Sequence, residues 1–173
     1  MKDFIIAVIK MSNLNSNGVR VGLMTFHKEP TIRFHLNTFE NPESCIEFVQ
    51  AIEYAGKGTK TGAAVEIANT HAFHDNFGNR DEAANKVLLI TDGRSQDAGL
   101  LREEVKILKT KAEVYALGIG DKVDEKEINM IASEPKSQHV LMVEDFFFLK
   151  RSLATKGTIE DILCPKECTR KAL

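Results

Sequence analysis

Val87-Leu88-Leu89-Ile90-Thr91-Asp92-Gly93 is an unbroken apolar run that ends in an Asp-Gly turn. Five apolar or β-branched residues with no polar alternation predict a strand covered on both faces, the kind found in parallel sheets. Downstream, Leu101, Val105 and Leu108 repeat at helical spacing, and Val114–Ile119 is a second apolar strand. Asp124 with Glu127 three residues later predicts a capped short helix carrying Ile128 and Ile131. His139–Val143 is a further strand, and Asp145 opens a last helix through Phe146, Leu149 and Leu153. Strands alternating with helices predict right-handed crossovers and a doubly wound α/β domain: a mostly parallel sheet with helices on both faces.

Upstream, Phe4, Ile5, Val8 and Ile9 mark an opening amphipathic helix, and Asn13–Gly18 breaks it. Val19–Phe26 is a strand, and Ile32, Phe34 and Leu36 alternate in the next one; the short His27–Pro30 link makes the pair antiparallel. Asn41-Pro42 caps a helix that runs to about Tyr54, with Cys45, Val49 and Ile52 on one face. After the Gly56–Gly58 link a helix starts near Thr61, turning Ala64, Val65, Ala68 and Ala72 inward. Residues 1–155 form the domain and 156–173 a C-terminal tail.

Composition narrows the function. The 173 residues carry 23 Lys+Arg against 25 Asp+Glu, a net charge of -2, which argues against a nucleic-acid footprint or a polybasic membrane patch. No apolar run approaches the roughly 18 residues of a membrane helix. Three cysteines form no disulfide framework: Cys45 reads as a small buried hydrophobe, and Cys164 and Cys168 stand in one isolated Cys-x-x-x-Cys. The start of the chain is not a signal peptide, because its apolar stretch is short and lacks a cleavage site.

Ligands of such sheets bind beyond the carboxyl ends of the strands. Asp92 leaves its strand there, and so does the loop Gly56-Lys57-Gly58-Thr59-Lys60-Thr61-Gly62. That loop follows a helix and lacks a Gly-Lys-Thr/Ser ending, so it is neither a dinucleotide fingerprint nor a Walker loop. Hydroxyls at Thr59 and Thr61 beside an Asp turn suit a hard cation, which takes oxygen ligands.

Gly58-Thr59-Lys60-Thr61-Gly62-Ala63-Ala64, followed about 28 residues on by Val87–Gly93, resembles the von Willebrand factor type A domain. Val19–Phe26 and Tyr115–Gly120 resemble that family's second and fifth strands. The resemblance implies a Rossmann-like fold, an extracellular or secreted setting, and a site for Mg²⁺ (or Mn²⁺ or Ca²⁺) that engages protein ligands. It also implies that Thr59 coordinates the metal directly and Asp92 holds it through water. Lys57, Lys60, Thr61, Gly93 and Arg94 would form the ligand-binding rim. One departure stands out. The family's Asp-x-Ser-x-Ser loop, at the end of a first strand preceding the opening helix, has no counterpart, because Met1 already lies at that helix. The chain thus resembles a type A domain lacking its central first strand, with an incomplete metal site. The flanking strands would stand about 10 Å apart, with open edges that invite self-association or strand addition.

Other constellations read as structure. His71-x-x-His74-Asp75 is a polar helix end without a third ligand, and Ser95 and Asp97 show no triad spacing. Phe146-Phe147-Phe148 is core plus one partly exposed ring. The sequence is therefore read as a non-enzymatic protein-binding module of the adhesion or extracellular-matrix type, with a collagen-like or other matrix ligand and a partial divalent-metal site. The alternatives are a metal-independent structural or intracellular interaction module and, third, a nucleotide-dependent Rossmann-like enzyme.

Overall fold

The structure, a computed structural model, describes residues 1–15, 17–53, 58–145 and 147. They divide into two compact units, one built from Met1–Val21 and Phe39–Glu53, the other from Gly22–Thr38 and residues 58–144. In the first, α1 (Lys2–Met11) packs against α2 (Pro42–Ala51). Asn41 caps α2 by accepting the Ser44 N–H at 2.9 Å, and Pro42 fits the first turn because its missing N–H would be unpaired there anyway. Phe4, Ile9, Cys45 and Val49 are buried, as the helical spacing requires. Burial pushes the Cys45 thiol up to about 11, so it stays protonated and inert.

The second unit holds the sheets. Strands β1 (Leu23–Phe26) and β2 (Pro30–Phe34) form an antiparallel hairpin. Strands β3 (Lys86–Thr91), β4 (Glu113–Ile119) and β5 (Val140–Val143) form a parallel sheet in the order β3-β4-β5. Helix α3 (Thr61–Ile67) continues into a π-helical turn, Ala68–Ala72. Helices α4 (Ala98–Lys111), α5 (Glu125–Ile131) and α6 (Lys136–His139) make the crossovers. The core gathers Val65, Leu89, Leu101, Val105, Leu108, Val114, Ala116, Ile128 and Ile131. Each large aliphatic side chain buried there contributes about 1.5–3 kcal/mol. On the opposite face of β4, Tyr115, Leu117 and Ile119 are buried too, so this strand is covered on both sides.

Three details differ from the sequence reading. The first strand spans Leu23–Phe26 instead of Val19–Phe26; its register shifts at Leu23/Met24, and only β2 pairs with it among the described residues. Val87, Leu88 and Ile90 are half-buried, not enclosed like β4: among the described residues β3 pairs only with β4, whereas β4 pairs on both sides. Asp124 caps α5 through the Lys126 N–H at 3.0 Å, but Glu127 does not close the expected capping box: its Oε1 accepts the Ser95 N–H at 2.9 Å. The last helix, Phe146, Phe148, the tail, Lys57, Cys164 and Cys168 lie outside the described residues; Phe147 is 75% exposed.

Candidate functional site

Three loops at the carboxyl ends of the strands are laced together. The Thr59 N–H donates to Gln96 Oε1 at 3.2 Å, and the Gln96 N–H donates back to the Thr59 carbonyl at 2.9 Å. One residue on, the Lys60 N–H donates to the His27 carbonyl at 2.9 Å, tying the same segment to the β1–β2 turn. Gly58 takes φ +116, a conformation open to glycine, with Lys28 and Gln96 pressed against it.

Asp97 is the clasp of this arrangement. It occupies the N-cap position of α4 yet makes no side-chain cap there. Its carboxylate reaches α3 instead, where Oδ1 and Oδ2 accept the Gly62 and Ala63 N–H groups at 2.8 and 2.9 Å, and the Ser95 hydroxyl donates to Oδ1 at 2.7 Å. Helix α3 has Lys60 at its N-cap and no side-chain cap from it, so Asp97 satisfies donors that would otherwise be orphaned. Desolvation works to raise the Asp97 pKa, but the hydrogen bonds from Ser95, Gly62 and Ala63 outweigh it and hold the carboxyl below its ordinary value. Gly62 is dictated by packing: a Cβ there would lie 2.6 Å from the Leu101 nitrogen.

Asp92 projects outward, exposed, and makes no hydrogen bond or ion pair among the described residues. Its loop is shaped by the Thr91 hydroxyl, which donates to the Gly93 carbonyl at 3.0 Å. A Cβ on Gly93 would meet Thr59 Oγ1 at 3.4 Å, so the Thr59 hydroxyl lies against the Asp92 loop. Arg94 pairs with Asp124 at 2.9 Å and Lys60 is exposed, both at the edge of this face. Thr61, expected on the rim, is 0% exposed, and its Oγ1 has no hydrogen-bond partner among the described residues. Glu127, 8% exposed, supports the floor; burial raises its pKa, the Ser95 N–H opposes that, and Asp124 adds to it.

Among the described residues the oxygen donors do not make a complete cation site. Asp97, Asp124 and Glu127 are committed to the partners just given. No group of three or more His, Cys, Asp or Glu among the described residues is arranged to hold a metal. Thr59 and Asp92 leave an octahedral shell mostly to water. Sequence reasoning brought Thr59, Asp92, Gly93 and Arg94 to one face but missed Gln96, Asp97 and Glu127. An Asp before a helix is an expected cap; nothing local shows that it caps the neighbouring helix.

The von Willebrand factor type A domain model matches residues 1–155. The chain is 34% identical over 151 residues to the collagen alpha-1(XX) chain of Mus musculus, covering 84% of this chain and 11% of that one. It is 33% identical over 154 residues to matrilin-1 of Gallus gallus, covering 87% and 31%. It thus spans less than a third of the length of these curated relatives. Among solved structures, proximal thread matrix protein 1 from the mussel byssus with a zinc-occupied MIDAS motif superposes with a TM-score of 0.81 at 23% identity, covering 94% of this chain and 42% of that one.

Proposed function

The chain belongs to the von Willebrand factor type A family, and from that premise we propose that it is a non-enzymatic protein-binding module of the extracellular matrix, taking its ligand on the laced loop face. The observation that carries this reading is the lacing itself. Hydrogen bonds through Thr59, Lys60, Gln96 and Asp97 hold the loops after β1 and β3 and the start of α3 as one preorganised platform. Preorganisation lowers the ordering cost of association. Lys60, Arg94 and Asp92 are exposed on it, and a rim of this kind steers a charged partner.

Relatives named as collagen and matrilin, and a fold neighbour named as a matrix protein, support the extracellular setting. The commitment of Asp97, Asp124 and Glu127 to protein partners favours direct contact by the rim over a metal bridge. Thr59 and Asp92 are then the residual oxygens of the family's cation site.

The test is surface plasmon resonance of the chain over immobilised fibrillar collagen, with Lys60→Ala/Arg94→Ala as the comparison. Saturable binding that weakens at least tenfold in the double variant and survives chelation is the expected result. Equal binding by the double variant would place the ligand elsewhere.

A further inference from the structure

We propose that Lys109 is a reactive amine that captures aldehydes as imines, at the end of α4 away from the laced loops. Helix α5 ends at Ile131, and the last carbonyls of a helix have no partner within it. Two side chains from different elements answer them. Lys109, in the last turn of α4, donates to the Met130 carbonyl at 2.6 Å, and Lys136, opening α6, donates to the Ala132 carbonyl at 2.5 Å. Both carbonyls belong to one helix end, so the two amino groups converge and stand within hydrogen-bonding reach of each other. At 1.5 Å of rise per residue, Lys109 lies roughly 16 Å along α4 from Ala98, where the laced face begins.

An ammonium group has three donors and no acceptor, so two of them cannot hydrogen-bond to each other; the contact forms when one gives up a proton and accepts from its neighbour. The surroundings decide which one does. Lys136 has a carboxylate beside it, Glu134 Oε1 at 3.2 Å, and the Ser133 carbonyl at 3.5 Å. No carboxylate pairs with Lys109 among the described residues. Lys109 is half-buried, and desolvation, the Lys136 charge and the Lys136 hydrogen bond lower its pKa, while Glu134 opposes them. Lys109 is the partner that yields its proton. A desolvated lysine beside a second cation is nucleophilic toward carbonyl carbon. Its lone pair adds to the aldehyde carbon, the C–O bond breaks and the oxygen leaves as water. The two hydrogens of the amine depart with that oxygen, one of them by way of a proton that Lys136 donates and recovers. Amine and aldehyde thus give imine and water, with nothing oxidised or reduced.

The probe is acetaldehyde, with sodium cyanoborohydride to reduce each imine to a stable ethylamine, applied to the full 173-residue chain and read by peptide mass mapping. Lys106, on the same helix and 65% exposed, is the internal reference. At pH 7 Lys109 is expected to be labelled at least about threefold faster than Lys106, although it is the less exposed of the two. Its labelling should also level off at a lower pH. Lys136→Met is expected to move the Lys109 pH profile toward that of Lys106, whereas Lys136→Arg, which keeps the positive charge, leaves it low. A Lys109 profile that coincides with that of Lys106, or one that Lys136→Met leaves unchanged, overturns the proposal. If Lys136→Met unfolds, the wild-type profiles and Lys136→Arg still decide.

Discussion

Asp97 Oδ1 accepts the N–H of Gly62 at 2.8 Å across 35 residues of sequence, so the residue that precedes α4 caps α3. The consequence is measurable. Loss of a helix cap costs about 0.5–2 kcal/mol, and Asp97 serves two N–H groups, so Asp97→Ala should fall at the upper end. At about 2–4 °C per kcal/mol, that lowers the melting temperature by about 4–8 °C. Asp97→Asn, which keeps one acceptor oxygen, should lose about half as much. Because the folded pKa is depressed, this stability is present above the ordinary carboxylate value and disappears as pH falls through the folded value. Thermal melts of both variants that coincide with the wild type would refute the clasp.

Glu127 should behave in the opposite sense. Its folded pKa is raised, so its contribution is greatest when it is protonated in both states and is lost as pH rises through the folded value. Glu127→Gln keeps an acceptor for Ser95 and has no charge to bury. Between pH 4 and 7 the variant should therefore gain stability relative to the wild type. Urea titrations across that range that run parallel for the two proteins would contradict it.

Gly62→Ala should destabilise although alanine favours helices. The added methyl would stand 2.6 Å from the Leu101 nitrogen and 2.9 Å from the Asp97 carbonyl, both backbone, so α3 and α4 must separate. Overpacking of this kind costs about 1–3 kcal/mol. Denaturant unfolding reads it directly, and a variant as stable as the wild type would show that the two helices do not pack this closely.

Magnesium should bind the chain only weakly. Thr59 and Asp92 give one hydroxyl and one carboxylate toward the ion, and isothermal calorimetry is expected to return a dissociation constant weaker than about 100 μM, roughly -5.5 kcal/mol. Asp92→Ala should change stability by no more than about 0.5 kcal/mol, as befits an exposed side chain without a partner among the described residues. A tight magnesium isotherm abolished by Asp92→Ala would mean that oxygens now assigned to other partners turn toward the cation.

Elements whose order follows local pattern were legible in the chain. The apolar run at Val87–Thr91, the helical spacing of Leu101, Val105 and Leu108, and the Asn41-Pro42 cap each carry their own signal within a few residues. The strand expected from Val19 was misjudged at its start because a strand extends only as far as its neighbour pairs with it, and pairing is not written in the residues themselves. The site divides in the same way. Asp92-Gly93 stands out as a turn and Thr59 as a hydroxyl in a glycine-rich loop, whereas the uses of Gln96, Asp97 and Glu127 depend on partners 37, 35 and 32 residues away.

The π-turn at Ala68–Ala72 sets the phase of everything after it. Such a turn holds one residue more than an α-helix of equal rise, and each α-helical residue advances about 100° around the axis. Asn69 fixes the surplus in place: its Nδ2 donates to the Glu104 carbonyl at 2.9 Å, and its own carbonyl accepts from Lys111 at 2.7 Å. Deleting Thr70 would let the segment close into a continuous α-helix with Phe73 seven residues from Val65 and still facing the core, whereas closing it with every residue kept would swing Phe73 by about a quarter-turn, away from the core that it packs against. The helix is thus long by one residue on purpose of geometry: Val65 before the π-turn and Phe73 after it meet the same core only because the count between them is irregular.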